Sequence, residues 1–208
     1  MIRFREPLTA DIRDFLNSNA LTAFSYSDLG CTRGRNVAGF NTDRFRIELG
    51  TGEITFEKAK RALRDWRGFS TDWVRLCWPY KKIVPGTVVA VLAHHYGIYS
   101  VNAARIVYAV DEPKRFGYAL GSLTSHMVRG EMLLVTYLQD DGRVYYELTS
   151  ITRPGHWLSW VFYPLARQLQ NQFARDSLHA LLESMLTQEA APRRSGGFTS
   201  ESEGEQPG

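Results

Sequence analysis

Hydrophobic and polar residues alternate in short stretches through the middle of the chain. In the first of these, Phe45, Ile47 and Leu49 would share one face of a strand, while two arginines and a glutamate take the other. The later stretches are rich in β-branched and aromatic residues and are separated by turn signals such as Asp141-Gly142. The pattern predicts strands at residues 44–49, 74–77, 87–93, 105–110, 116–120, 131–139 and 143–151.

Hydrophobic residues spaced three or four apart predict three helices. The first covers residues 8–15. The second begins at Thr55, which we expect to cap it, and buries a stripe that ends at Trp66. The third has Pro164 in its first turn and keeps its spacing to Met185. About 24 residues at 1.5 Å per residue give this last helix a length of about 36 Å, enough to cross a sheet.

A curved antiparallel sheet followed by a long helix resembles the layout of the START and birch-pollen-allergen superfamily, called the helix-grip fold. The resemblance implies an α+β protein in which a strongly curved antiparallel sheet of about seven strands wraps around a long C-terminal helix, usually with a cavity between them. We expect an N-terminal helix and glycine-containing loop (1–40), the helix-grip domain (41–189) and a disordered tail (190–208).

Composition narrows the classes of function. Apolar residues make up 44% of the chain, with 11 Phe, 10 Tyr and 5 Trp, which suits both a large core and the wall of an apolar cavity. The net charge of only +3 is spread along the chain, so we expect no nucleic-acid partner. A secretory signal and a run of 18 apolar residues are both lacking, and we expect a cytoplasmic protein with no integral membrane segment.

Several short sequence motifs resemble those of a family of bacterial and plant proteins described as a domain of unknown function. They extend over about residues 20–175 and imply the fold and its boundaries, but bring no activity with them. Three residues depart from the family pattern, namely Leu120, Thr124 and Met132. The matching motifs include Phe24-Ser25-Tyr26 with Gly30 and Thr32, Gly39-Phe40 followed by Asp43, Arg105-Ile106-Val107-Tyr108 with Asp111-Glu112, Gly117 to Leu123, His126 with Gly130-Glu131, and Thr152-Arg153-Pro154.

Two of these residues are candidates for acid–base catalysis. A carboxylate can orient and charge an imidazole, so His126 and Glu131 could act as a pair on a loop that the rigid sheet positions. The alternative is structural, with His126 closing a turn and Glu131 pairing with Arg129 or Arg153. Arg153 itself could bind an anionic group of a ligand, or it could hold loop carbonyls.

Four tyrosines are candidates for ligand binding together with Arg153. Tyr26, Tyr108, Tyr118 and Tyr146 each combine an apolar ring with a polar tip, which suits a cavity, although core packing explains any single one equally well. A metal site is not expected, because His94 and His95 would face opposite ways on a strand. The two cysteines, Cys31 and Cys77, lack a metal-type spacing, and no cofactor is indicated.

Three functions remain open on these grounds. The first is binding of a hydrophobic small molecule, such as a lipid, polyketide or terpenoid, between the sheet and the last helix. The second is an enzyme, a cyclase, lyase or hydrolase, that acts on such a metabolite by acid–base catalysis in that cavity. The third is a non-catalytic interaction protein with a filled core. The oligomeric state is left open by the sequence.

Overall fold

The computed structural model describes residues 1–35, 37–78, 81–124, 128–154 and 163–190. Its helices are α1 (Thr9–Asn19), α2 (Glu53–Arg64) and α3 (Tyr163–Ala190), with single 3-10 turns at Cys31–Arg33 and Arg67–Phe69. The strands are β1 (Ile2–Arg3), β2 (Asn41–Thr51), β3 (Val74–Cys77), β4 (Val88–His95), β5 (Ile98–Glu112), β6 (Arg115–Ser122), β7 (Val128–Leu138) and β8 (Arg143–Pro154).

All strand pairs in the described ranges are antiparallel, and seven strands form one sheet in the order β2-β8-β7-β6-β5-β4-β3. The short β1 pairs with β5 beside this path. Register shifts between Glu48 and Gly50 and between Ile106 and Tyr108 are of the kind that bends strands and increases their twist. The predicted curved sheet with a long C-terminal helix is thereby confirmed.

The main core lies on the face of the sheet that α2 and α3 cover, called the inner face below. From α2 it receives the predicted stripe, including Phe56 and Leu63, and from the following turn it receives Trp66 and Phe69. Leu178, Leu181 and Met185 of α3 join the same cluster. These side chains fill the end of the sheet next to α2, since most of them are less than 5% exposed.

The prediction that Thr55 caps α2 is wrong. The helix begins at Glu53, and Gly52 precedes it with a positive φ of 84°, so the chain turns directly from β2 into the helix. The Gly52 carbonyl accepts the first helical hydrogen bond, from the Phe56 N–H at 3.1 Å. Thr55 lies inside the first turn, where its hydroxyl donates to the Thr51 carbonyl at 2.7 Å.

The N-terminal part of the chain covers the opposite, outer face of the sheet. Ile12 and Leu16 of α1 pack with Leu92 and Val101 of β4 and β5. Further along, Tyr26 and Cys31 form a separate buried cluster with Ile151 of β8. The segment 24–35 therefore sits against β7 and β8, and the domain boundaries at 40, 41 and 189 stay a prediction.

None of the helices in the described ranges is both long enough and apolar enough to cross a bilayer.

Candidate functional site

A cavity of about 510 Å³ lies between the inner face of the sheet and the first half of α3. It opens beyond the packed end of the core, where strands β2, β8, β7 and β6 approach their ends nearest residues 43, 152, 128 and 122. Most of its wall is apolar. The apolar side chains include Phe45, Phe69, Trp73, Val91, Leu120, Met132, Leu148, Leu169 and Phe173.

Two of the three residues that depart from the family pattern lie in this wall. Leu120 and Met132 are paired across β6 and β7 and both border the cavity. Both side chains therefore contribute to the apolar part of the wall.

Polar side chains gather at one end of the cavity. Ser150 and Thr152 of β8, together with Ser122 of β6, lie at 7–9% exposure and border it. Asp43 is the strand partner of Ser150 and also borders it, where its carboxylate forms a two-pronged ion pair with the Arg167 guanidinium of α3. The second of these bonds, from Arg167 Nη2 to Asp43 Oδ1, measures 2.7 Å.

Glu131 is held on the outer side of the sheet by the segment 24–35. In β7 it alternates with Met132 and shares the outer face with Leu133, and it is only 1% exposed. Its Oε2 accepts hydrogen bonds from the Tyr26 hydroxyl at 2.7 Å and from the Gly30 N–H at 2.8 Å. Its Oε1 accepts from the Thr32 N–H at 3.1 Å and from the Thr32 hydroxyl.

The network continues from Thr32 to Tyr108. Because the Thr32 hydroxyl donates to Glu131, the Tyr108 hydroxyl at 2.8 Å is left to donate to Thr32 Oγ1. The Arg33 guanidinium lies over the Tyr108 ring, 4.1 Å from its centroid. We call Tyr26, Gly30, Thr32, Tyr108 and Glu131 the Glu131 network.

Burial in and around this network raises the pKa values of several titratable groups. Loss of solvation, and next the Glu131 carboxylate, raise the pKa of the Cys31 thiol to about 11. The same two causes raise the pKa of Tyr26, and burial raises the pKa of Tyr108. These groups therefore stay protonated around neutral pH and surround Glu131 as donors or neutral neighbours.

Two glycines make the close packing around Glu131 sterically feasible. Gly130 has a φ of 142°, and a Cβ there would collide with the Ile151 carbonyl of the neighbouring strand. A Cβ at Gly121 would come within 2.6 Å of the Tyr26 hydroxyl. Side chains at either position would push apart the strands or the segment that holds Glu131.

The structure brings only some of the predicted site residues together. Tyr26, Tyr108 and Glu131 meet in the Glu131 network, and Glu131 also borders the cavity at the end of β7. His126 lies outside the described residues, so its pairing with Glu131 stays a prediction. Arg153 places its guanidinium 4.7 Å from the centre of the Phe40 ring on the outer side.

The other two predicted tyrosines lie in the packed end of the core. Tyr118 and Tyr146 are fully buried, and the Tyr118 ring packs on Trp66 with 4.6 Å between ring centres. The Tyr146 hydroxyl lies 3.0 Å from the Ser177 hydroxyl of α3. Among the described residues that border the cavity, none of the four tyrosines or Arg153 occurs, and their role as ligand contacts stays a prediction.

The site residues that sequence reasoning missed are mainly those at the polar end of the cavity. Ser122 and Thr152 belong to sequence motifs that resemble the family, and this resemblance already drew attention to them. Asp43 stood in another such motif, after Gly39-Phe40, whereas Arg167 carried no signal, because its pairing with Asp43 joins residues 124 positions apart. His94 and His95 stack on Tyr99 and Trp73 respectively, and the described residues contain no group of three His, Cys, Asp or Glu side chains placed to hold a metal.

A curved antiparallel sheet closed by a long C-terminal helix, with a cavity between them, defines a helix-grip protein. The chain belongs to the family "Domain of unknown function (DUF1990)", whose model matches residues 25–180. It is 32% identical to a UPF0548 protein of Dictyostelium discoideum over 89% of this chain and 96% of the relative. It is 33% identical to the UPF0548 protein At2g17695 of Arabidopsis thaliana over 70% of this chain and 73% of the relative.

A solved structure of a Thermus thermophilus protein shares the fold. It is 18% identical, covers 71% of this chain and 99% of its own, and superimposes with a TM-score of 0.51. At this level of identity the likeness concerns the fold alone.

Proposed function

We propose that this protein binds a hydrophobic small molecule in the cavity between the sheet and α3. The observation that carries the proposal is the cavity itself, with about 510 Å³ of space and a largely apolar wall. Pockets of about 300–1,000 Å³ with apolar walls and a few polar groups are typical of small-molecule sites. An interaction protein with a filled core would need no such space, because interiors normally pack with few voids.

The position of the cavity supports the same function. At one end of the inner face, the side chains of Phe56, Trp66 and Tyr118 are closely packed and buried, and no cavity is left between them. At the other end Ala93, Ala104 and Ala174 border the cavity with small side chains. Small side chains at these positions leave the space open to a ligand, whereas larger ones would occupy it.

Catalysis by His126 and Glu131 is the alternative, and the geometry of Glu131 favours it less. Four donors from Tyr26, Gly30 and Thr32 already occupy the carboxylate oxygens. A general base needs a lone pair within reach of the substrate proton, and these bonds compete for the lone pairs. A cyclase, lyase or hydrolase activity that uses this pair would require the network to open.

Binding can be tested with a fluorescent apolar probe, N-phenyl-1-naphthylamine, whose emission rises in apolar sites. We expect saturable binding to the purified protein and loss of binding in Ala93→Phe, because the new ring would occupy the cavity. Thr42→Phe is the matched control, since Thr42 is exposed on β2, the edge strand at the opposite side of the sheet from β4. Native mass spectrometry of protein purified from its own host would then identify the natural ligand.

The two possible failures are distinct. Equal probe binding by the native protein and by Ala93→Phe would place the probe elsewhere and reject the cavity as the site. No binding of any apolar compound, together with an empty protein in native mass spectrometry, would reject the function.

A further inference from the structure

We infer that the mouth of the cavity docks on the surface of an anionic lipid bilayer through a rim of exposed apolar side chains. The inference goes beyond the proposed function and rests on it in one respect only, the passage of an apolar ligand between bilayer and cavity. The rim is exposed, is held in place by the sheet, is continuous with the cavity wall and has arginines beside it.

Large apolar side chains surround the mouth of the cavity. Four residues that border the cavity are also exposed: Ile2 at 51%, Tyr96 at 70%, Ile98 at 41% and Leu165 at 39%. A residue that both borders the cavity and is exposed lies where the cavity meets solvent. These four come from β1, from the turn between β4 and β5, from β5 and from α3. Apolar clusters of this kind on a protein surface mark interaction sites.

Phe4 extends the rim at the end of β1. The register of β1 with β5 ends at the pair Arg3 and Tyr99, so Phe4 comes next on the side of Ile98, the first residue of β5. The Phe4 side chain is 81% exposed. We call Ile2, Phe4, Tyr96, Ile98 and Leu165 the rim.

The turn between β4 and β5 exposes Tyr96 in a backbone conformation that is unfavourable for tyrosine. Tyr96 and Gly97 have φ values of 51° and 75°, as the two-residue type I′ turn requires, and its first position favours asparagine, aspartate or glycine. A bulky residue with such a φ is a rare exception. The Tyr96 ring packs on His95 with 4.2 Å between ring centres, and His95 stacks on Trp73 of the cavity wall at 5.1 Å. Ring contacts therefore connect the wall to the exposed turn.

Basic residues beside Phe4 indicate the kind of surface that the rim meets. Arg3 and Arg5 flank Phe4, and both are exposed. The acidic residue that follows, Glu6, is paired with Arg75, so this segment presents net positive charge. Apolar side chains next to arginines are typical of protein segments that lie in the interface of an anionic membrane, where tyrosine rings are also enriched.

A bilayer fits the rim better than a protein partner does. The rim surrounds an opening, and a protein packed on it would close the path into the cavity. A bilayer in contact with the rim would join the cavity to an apolar phase instead. An apolar ligand, which is concentrated in lipid, can then pass between the two without crossing water.

Docking can be measured by flotation of the purified protein with vesicles of phosphatidylcholine, with or without about 30% phosphatidylglycerol. We expect binding to the anionic vesicles and at least about fivefold weaker binding to the neutral ones, which is the contribution of one arginine near an anionic surface. The measurement uses the unaltered protein and needs no ligand.

Variants locate the docking surface. In the double variant Phe4→Ser, Tyr96→Asn we expect at least about tenfold weaker binding to anionic vesicles, because two rings are lost from the interface. Asparagine is favoured at the first position of the turn, so Tyr96→Asn relieves the backbone rather than straining it. Leu21→Ser, Ile54→Ser is the matched control, since these side chains are 98% and 76% exposed and neither borders the cavity.

Three results would overturn the inference: equal binding to neutral and anionic vesicles, equal binding by the Phe4→Ser, Tyr96→Asn variant and its control, or no binding to either kind of vesicle. Sedimentation velocity adds a fourth. A dimer of the unaltered protein that dissociates in the Phe4→Ser, Tyr96→Asn variant would mean that a second copy covers the rim.

Failure of the inference and failure of the proposed function give different results. If N-phenyl-1-naphthylamine binds in the cavity but the vesicles are not bound, the inference fails and the proposed function stands. If the anionic vesicles are bound through the rim but the probe is not, the proposed function fails and docking on the bilayer stands.

Discussion

A carboxylate that is taken out of water needs several donors, and at 1% exposure Glu131 obtains four from a single short segment. Two of them are backbone N–H groups of Gly30 and Thr32, whose positions are set by the 3-10 turn at Cys31–Arg33. The other two are hydroxyls. The residue therefore anchors the outer segment to β7, whatever further chemistry it supports.

Replacing Glu131 with glutamine tests this anchoring. The amide would keep one acceptor oxygen but would direct an NH₂ group at two of the four donors. We expect Glu131→Gln to lower the free energy of unfolding by about 3 kcal/mol, measured by urea denaturation, since unpaired buried donors cost about 1–3 kcal/mol each. Glu48→Gln is the control on an exposed position of β2, and a loss no larger than in this control would exclude the anchoring role.

The raised pKa values of Cys31, Tyr26 and Tyr108 predict a loss of stability at alkaline pH. These groups ionise in the unfolded chain at a lower pH than in the folded protein. Above about pH 9 the unfolded state therefore binds fewer protons, and the free energy of unfolding falls as pH rises by up to about 1.4 kcal/mol per pH unit for each group. Below that pH the contribution is fully retained.

Urea denaturation at intervals from about pH 7.5 to about pH 10.5, which spans the ordinary pKa values of cysteine and tyrosine, measures this slope. Cys31→Ala removes one of the groups, and we expect its slope above about pH 9 to be shallower than that of the unaltered protein. Ser27→Ala is the control, because Ser27 is an exposed residue of the same segment and carries no titratable side chain. Equal slopes in Cys31→Ala and the unaltered protein would contradict the assignment.

At the scale of elements, polar contacts help to fix α3 beside the cavity, where Phe173 also packs on Phe69 and Trp73. Arg167 bonds to Asp43 of β2, and Asp176 accepts from the Trp73 indole N–H at 2.7 Å. One position further on, Ser177 meets the Tyr146 hydroxyl of β8. From Leu178 onward the helix packs on the core through Leu181 and Met185. The half of the helix beside the cavity is thus held by hydrogen bonds as well as by Phe173, and the packed half by apolar burial.

The contact between Tyr146 and Ser177 can be isolated with a double-mutant cycle. We expect Tyr146→Phe and Ser177→Ala each to destabilise the protein and the pair to show a coupling energy of about 1 kcal/mol, as for a buried neutral hydrogen bond. Tyr137→Phe serves as the control, since its 3.3 Å bond to Glu147 lies on the half-exposed outer face. A coupling energy near zero would mean that the hydroxyls do not hold the helix to the sheet.

The alternation of hydrophobic and polar residues predicted all seven strands of the sheet order, but it predicted too short a β5. It predicted residues 105–110, whereas the strand covers Ile98–Glu112. Ser100 and Asn102 explain the difference, because they border the cavity and break the apolar pattern expected of a packed face. The start of α2 was also misplaced. The backbone conformation of Gly52, and not a side-chain cap, begins the helix.

The sequence singled out the residues of the Glu131 network but not how they are arranged, and whether they form a functional site stays a prediction. The family-like motifs contain Tyr26, Gly30, Thr32, Tyr108 and Glu131, which the fold joins into one network. Which residue bonds to which depends on the register of strands and on a segment that crosses the outer face. Hydrogen bonds between residues about a hundred positions apart leave no periodic trace in a single sequence.

The whole molecule combines one solid end with one hollow end. Trp66, Tyr118 and Tyr146 close the inner face near α2, and the space widens toward Ser122 and Thr152. Because α3 crosses both ends, a ligand in the hollow would pack against the same helix that the core holds. Occupation of the cavity should therefore stabilise the folded state as a whole.

Thermal unfolding measures this effect. At a ligand concentration of about a hundred times Kd, mass action adds about 2.7 kcal/mol to the free energy of unfolding, which corresponds to about 5–10 °C in Tm for a domain of this size. We expect this shift with N-phenyl-1-naphthylamine in the unaltered protein and its absence in Ala93→Phe. An equal shift in both would mean that the ligand binds outside the cavity.

The Glu131 network also sets an order of events during synthesis. Tyr26 and Glu131 are 105 positions apart, and the Gly30 and Thr32 contacts span 101 and 99. A ribosome that adds about 5–20 residues per second delivers Glu131 about 5–20 s after Tyr26. For most of that interval the segment 24–35 is part of the nascent chain without its binding site on the sheet, so its closure over β7 must follow the synthesis of Glu131.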